Sequence, residues 1–286
     1  LTLVFGVSVN SASRWLEIPG LDISFQTSDF AKIALIIYVA RELTRHQDYI
    51  QSFDQAFLPI IVPVLLVCGL IAPANLSTAA VLFATCIVLM FIGRVSMKYI
   101  LLLLMLGIVV FALLIVVGKF FTGMVRVDTW VSRVQDYIHN PDGGYQVQQA
   151  KIAIARGGWI GEGPGNSIAR NFLPYSYADF IYAIICEEWG LIGGGVVIAL
   201  FVLLFFRSVV LVTKSPKAFG TFLSIGLSLS LTVQALANMA VSVHLVPVTG
   251  LTLPMISMGG TSMLFTAISL GMILSVSKYV ENMDEA

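Results

Sequence analysis

Apolar residues run along the chain in long blocks separated by short polar stretches. A helix that crosses a membrane needs roughly 20 predominantly apolar residues. Seven stretches come close to or exceed that length: 26–40, 57–74, 76–92, 99–118, 179–206, 219–243 and 260–277. Residues 1–9 are apolar but too short to span and carry no positively charged flank, so they read as the tail of a helix whose start is missing, not as a signal peptide. The one long polar interval, 119–178, has its own periodicity. Val127, Trp130, Val131, Val134, Tyr137 and Ile138 recur at helical spacing among Arg126, Asp128, Arg133 and Asp136, which predicts an amphipathic helix on the membrane surface. The NPDGG of 140–144 is a turn signal. A second short helix follows over 145–155, carrying Gln146, Gln148, Gln149 and Lys151, and then the tightly turning GGWIGEGPGN of 157–166. The pattern predicts an all-α, polytopic membrane bundle: one transmembrane domain over 1–286, with seven full spans, a partial one, and a large extracytoplasmic loop at 119–178.

Composition agrees. Of 286 residues 58% are hydrophobic and 11% charged, against about 25% charged in soluble domains. The formal net charge is zero and no basic run occurs, so no nucleic-acid partner is indicated. Cys68, Cys86 and Cys186 lie inside apolar runs with no metal-ligand spacing and read as packing residues. The placement of charge carries more than its sum, because Lys and Arg collect in cytoplasmic loops. Arg41 and Arg45, Arg94 and Lys98, Arg207, Lys214 and Lys217, and Lys278 follow alternate spans, whereas the opposite ends hold little beyond Arg14. Loops 8–24, 119–178 and 242–259 therefore face outward.

Candidate chemistry centres on 171–195, where the polar loop meets an apolar helix and Asp179, Glu187 and Glu188 sit at or just inside its start. Ionised groups near membrane depth are costly and tend to be functional. Asp179 has two readings that do not exclude each other, helix N-cap and general base. The helix terminus favours the ionised carboxylate while apolar surroundings oppose it, the balance a base requires. Glu187 and Glu188 point about 100 degrees apart, so at most one faces a given cavity and the other needs a partner on a neighbouring helix. Lys32 is one candidate partner; pairing with Asp29, one turn away, is the alternative. Gly161, Gly163 and Gly165 mark a sharp turn or close backbone approach, since no strand precedes them and Pro164 interrupts them. The loop VPVTGLTLPMISMGGTS of 246–262 reads as re-entrant or cavity-lining, with His244 at its edge as a hydrogen-bonded structural residue.

Several motifs together resemble the shape, elongation, division and sporulation family of membrane proteins, the group that includes FtsW and RodA. They are Ser13-Arg14-Trp15-Leu16 with FQTSDFAK at 25–32, Tyr145-Gln146 with Gln149 and Ala150, the glycine-rich 157–167, LPYSYADFIYAIICEEWG at 173–190, and PVTGLTLPMISMGGTS at 247–262. The GEGPGNS spacing is closer to the division member, FtsW, than to RodA. Two departures stand out: APANLST at 72–78 replaces the usual QPD(L/F)GT, and SMGGTS replaces SYGGSS. Family members have roughly ten spans, which implies a chain lacking about the first three.

The resemblance implies a peptidoglycan glycosyltransferase of the bacterial cytoplasmic (inner) membrane, polymerising lipid II on the extracytoplasmic side beside a class B penicillin-binding protein and other division proteins. It aligns the family's essential aspartate with Asp179. A sugar hydroxyl would attack the anomeric carbon of the lipid-linked strand, with polyprenyl pyrophosphate leaving. Among Arg133, Lys151, Arg156 and Arg170, Arg133 is the expected cation for the leaving group, with Arg14 second. Lys32, Gln146, Gln149, Pro174, Glu187, Glu188, Ser257, Gly259 and Gly260 complete the expected substrate-binding set. No cofactor is called for, and a divalent cation is left open. The rival reading is a lipid II flippase or other transporter, which also uses intramembrane charges and broken helices; a non-catalytic division scaffold is a third.

Overall fold

The computed structural model describes residues 7–9, 12–18, 23–120, 127–140, 142–174, 176–214 and 217–284. These residues form a helical membrane bundle with one small sheet. Among the described residues, five helices are long and apolar enough to cross a membrane: Phe53–Ile71, Met97–Val116, Ile181–Val212, Ala218–Ser242 and Thr261–Glu281. Two of the seven expected spans fall outside that set. Leu76–Ile92 is shorter, and Thr27–Arg45 carries Asp29, Lys32, Arg41, Glu42 and Arg45. The chain groups into two compact units.

The first unit comprises Leu1–Val127, Phe206–Ser230 and Gly260–Ala286. It opens with an antiparallel sheet of β1 (Val7–Val9), β2 (Ala12–Ile18) and β3 (Ile23–Gln26), in that order. This corrects the expectation of a helix tail at 7–9 and of a plain loop at 8–24. The register pairs Leu16 with Phe25, Glu17 with Ser24 and Ile18 with Ile23, like with like, while Trp15 pairs with Gln26. Runs this short are the weakest periodic signal in a sequence.

Helix α1 (Thr27–Arg45) follows directly. Asp29 is buried in its first turn and pairs with Lys32 at 2.9 Å, which realises the within-helix alternative for that lysine. Next come a π-turn at Phe53–Phe57, α2 (Leu58–Ile71), α3 (Leu76–Ile92) and α4 (Met97–Phe120). Asn75, from the divergent APANLST stretch, caps α3 by accepting from the Thr78 amide at 3.3 Å, a task Asn and Asp perform equally well. The unit's core gathers Ile36, Val39, Leu43, Ile60, Leu82, Leu89 and Leu103, all fully buried. Leu101, Met105, Ile108 and Leu113 on α4 are exposed, as expected of a helix that is apolar all round and solvated by lipid.

The second unit comprises Asp128–Phe205 and Leu231–Gly259. The two loop helices stand where they are expected, α5 at Val127–His139, as its periodicity predicts, and α6 at Tyr145–Gly157. Helices α7 (Ile181–Lys214), α8 (Ala218–Ser242) and α9 (Thr261–Asp284) complete the described chain. Helix α7 is broken at Gly190, whose backbone (φ 67, ψ −172) is not helical. The start of α7 is anchored in a core of Val147, Ala150, Ala153, Leu173, Phe180, Ala183 and Ile184. A neighbouring cluster of Tyr182, Cys186, Phe201, Ala235, Met239 and Leu253 ties it to the end of α8.

Candidate active site

Three segments of the second unit meet at Gly250. Arg133 reaches across from α5 and donates from Nη1 to the Thr249 carbonyl at 3.2 Å. Both terminal guanidinium nitrogens lie 3.8–3.9 Å from the point a Cβ on Gly250 would occupy, and Asp179 Oδ2 lies 3.9 Å from the same point. The chain passes this point with φ +66, a conformation that glycine adopts without strain. A carboxylate and a cation thus flank one bare stretch of backbone, both within van der Waals reach of the position a Cβ would take.

The backbone carrying Asp179 is fastened from several sides. Ser257 Oγ donates to the Ala178 carbonyl at 2.6 Å and accepts from the Leu253 amide at 2.7 Å. The Met258 amide donates to the Tyr177 carbonyl at 2.9 Å. Asn238 Nδ2, on α8, donates to the Asp179 carbonyl at 2.8 Å and to the Leu251 carbonyl at 2.7 Å. Gln234, one turn earlier, donates to the Thr252 carbonyl at 2.9 Å. Helix α7 begins at Ile181, which puts Asp179 two residues ahead of the first helical residue instead of at the cap position.

A cavity of about 300 Å3 opens beside Arg133, lined also by Asp136, Tyr137, Tyr145, Gln146, His244 and Pro247. Tyr137 donates to the Leu245 carbonyl at 3.0 Å, and its ring meets His244 edge-on at 5.1 Å. His244 holds a left-handed conformation (φ 60), which is uncommon without glycine. The walls offer a cation, a carboxylate, an amide and two phenols around apolar surface, the mixture that orients a polar ligand in a concave site.

Of the residues expected at the site, Arg133 and Gln146 line this cavity, and Asp179 stands with Arg133 at Gly250. Gln149 shares a face of α6 with Gln146 and is half-buried, Pro174 is exposed, and Ser257 and Gly259 belong to the fastened loop. Lys32 lies in the first unit, as does Gly260, with φ +54. Arg14 is described only through the backbone of β2. Glu187 departs from expectation. It is fully buried, yet its partners come from the preceding loop and not from a neighbouring helix. It accepts from Ser167 Oγ at 2.5 Å and from the Ile168 and Ala169 amides at 3.2 Å each. This carboxylate holds the loop that leads to Leu173 and Pro174. The half-buried Glu188 contributes its main-chain carbonyl, which accepts from Gly163 at 3.0 Å.

Glu187→Gln replaces one acceptor oxygen by a donor facing groups that themselves donate. It is expected to cost about 1–3 kcal/mol, read as a lower thermal midpoint in detergent; an unchanged midpoint would contradict the structural role.

Sequence reading missed Asn238 and Gln234. The signal was present, since two amide side chains four residues apart on one face of an otherwise apolar helix are polar groups at membrane depth and need a reason. Among the described residues no three His, Cys, Asp or Glu side chains gather as metal ligands.

Comparison with known proteins places the chain. The profile of the FTSW_RODA_SPOVE family, described as "Cell cycle protein", matches residues 1–282. A relative from Geobacter sp. (strain M18), named "Probable peptidoglycan glycosyltransferase FtsW", is 34% identical over 283 residues, covering 97% of this chain and 75% of that protein. A protein of the same name from Halomonas elongata is 35% identical over 281 residues, covering 96% and 70%. The fold is shared with solved structures. One comes from work on "Structural coordination of polymerization and crosslinking by a peptidoglycan synthase complex", with TM-score 0.71, 24% identity, and coverage of 97% of this chain and 76% of that one. Another is the Rod shape determining protein RodA of Thermus thermophilus, with TM-score 0.65, 23% identity, and coverage of 97% and 73%. With the LPYSYADFI loop, the glycine-rich turn and the Gly250 loop assembled in one unit, and a family match over nearly the whole length, the chain belongs to the FtsW/RodA/SpoVE family of membrane proteins.

Proposed function

We propose that Asp179, Arg133 and the adjoining cavity form the catalytic centre of a peptidoglycan glycosyltransferase that joins lipid II units into glycan strands at the outer face of the bacterial cytoplasmic membrane. The observation that carries this reading is the apposition of the Asp179 carboxylate and the Arg133 guanidinium at Gly250. The names of the relatives supply the reaction class. The 4-hydroxyl of the acceptor sugar attacks the anomeric carbon of the donor, a new C–O bond forms with inversion, and the bond to the pyrophosphate oxygen breaks. Asp179 takes the hydroxyl proton, and Arg133 meets the charge that develops on the departing pyrophosphate. A positioned base contributes about 10²–10⁴-fold, and a fixed cation in a site screened from water stabilises the leaving group. Gln146, Tyr145 and Tyr137 at the cavity wall suit a sugar, which offers hydroxyls at its edge and an apolar face.

The basic loops set the orientation, because Arg133 and Asp179 lie on the segments opposite Arg94 and Lys98. The crosslinking partner is of the class B penicillin-binding type, a reading supported by the peptidoglycan synthase complex that shares this fold. The test is reconstitution of the full chain with its partner in vesicles containing lipid II. Glycan polymer is the expected product. Translocation of lipid II with no polymer would favour the flippase instead.

A further inference from the structure

We infer that Asn238 is a positioning residue for Asp179, and that the reaction depends on its amide as a double donor. The inference rests on the base role proposed for Asp179. Asn238 is 1% exposed, inside the apolar α8. Its side-chain nitrogen donates to two main-chain carbonyls at once, that of Asp179 at 2.8 Å and that of Leu251 at 2.7 Å. Two acceptors facing one end of the side chain define which end is the NH₂ group. The two carbonyls belong to two of the segments that meet there. One is on the residue whose carboxylate acts, and the other immediately follows Gly250, beside which both Asp179 Oδ2 and Arg133 lie. A single planar amide therefore fixes the spacing between the base and the backbone that also receives Arg133 through Thr249.

This is more than packing. No protein donor among the described residues reaches the Oδ1 of Asn238, and a buried acceptor without a partner is unfavourable for stability. A leucine, branched at the same atom, would avoid that loss, but its methyl cannot donate and would release both carbonyls. Ser257 performs a comparable task one residue earlier, on the Ala178 carbonyl, so the peptides on both sides of Asp179 are held. Catalytic geometry tolerates little slack, and a shift near 1 Å is able to cost about 100-fold in rate.

The experiment uses the full chain with its partner in lipid II vesicles and compares Asn238→Leu, Asn238→Asp and Asp179→Asn. Asn238→Leu is expected to lower kcat about 10–100-fold while KM for lipid II stays within about threefold. Asn238→Asp regains one O–H donor when its carboxyl is protonated, so its kcat relative to the unsubstituted protein should rise as pH falls, whereas the ratio for Asn238→Leu stays flat. That contrast separates positioning from a loss of folded protein. Should Asn238→Leu fail to fold, the pH dependence of the Asn238→Asp ratio carries the test alone. Unchanged kcat in Asn238→Leu, or a pH-independent ratio in Asn238→Asp, overturns the inference. Retained turnover in Asp179→Asn overturns the base assignment instead, so the two failures are distinguishable.

Discussion

Asp179→Asn in the full chain is expected to reduce lipid II polymerisation about 10²–10⁴-fold, the contribution of a positioned general base, with the protein still folded and still binding substrate. The substitution keeps the shape of the side chain, so the contacts of Oδ2 near Gly250 lose charge and basicity while volume is preserved. The fastenings act on the main chain, through the carbonyls of Tyr177, Ala178 and Asp179, and remain in place. The backbone is thus held independently of the carboxylate, which makes the variant a clean probe of chemistry. A matched Arg133 substitution should behave differently, because Arg133 also supports the loop through the Thr249 carbonyl. Its removal combines lost leaving-group stabilisation with a looser wall. Polymerisation by Asp179→Asn at the unsubstituted rate would remove the residue from the mechanism and return it to a purely structural position ahead of α7.

What the sequence made legible follows physical lines. Long apolar blocks announce helices because lipid leaves the backbone no other open-chain solution, so α2, α4, α7, α8 and α9 lie where the hydropathy places them. Val127–His139 was readable for a different reason, its amphipathic periodicity, and Tyr145–Gly157 stands where a second short loop helix was expected. The β1–β3 sheet was not, since its pairing is set by register between short strands, information no single stretch contains. At the candidate site, Asp179 was visible as a carboxylate near membrane depth and Arg133 as a cation on the amphipathic surface helix. Their convergence on Gly250 was not, because it depends on a loop more than a hundred residues further along the chain from Arg133. Glu187 shows the opposite failure. Its charge suggested either a cavity or a partner on another helix, yet its carboxylate accepts from Ser167 and two amides of the adjacent loop, groups that carry no charge to notice.

Gly190→Ala is expected to be the most damaging single-methyl change, at about 4 kcal/mol from backbone strain and overpacking together. The break in α7 frees the carbonyls of Glu187 and Glu188, which accept from the Glu162 and Gly163 amides at 3.0 Å each, while the Leu191 and Ile192 amides donate to Gly158 at 2.9 Å and Trp159 at 3.3 Å. A helix that opens at membrane depth is tolerable only if its freed groups are satisfied in this way. The fit is reciprocal and made of glycines. A Cβ on Gly190 would collide with the Trp159 carbonyl, one on Gly157 with the Cys186 carbonyl, and one on Gly161 with the Glu188 carbonyl. Because backbone opposes backbone at each contact, no side-chain rotation relieves the clash. The backbone of Gly190 itself, φ 67 and ψ −172, lies in a region other residues do not adopt without strain. Gly195→Ala, five residues on, is the control. It lies in regular helix with nothing within 4 Å of a new Cβ, so it should be neutral or stabilise by up to about 1 kcal/mol. Thermal midpoints in detergent read both, and equal midpoints for the two variants would show that the loop and helix do not interlock as described. Turnover should fall with the midpoint in Gly190→Ala alone, because the segment before the break carries Glu187 and follows directly on Asp179, and a site held by backbone hydrogen bonds loses its geometry when that backbone moves.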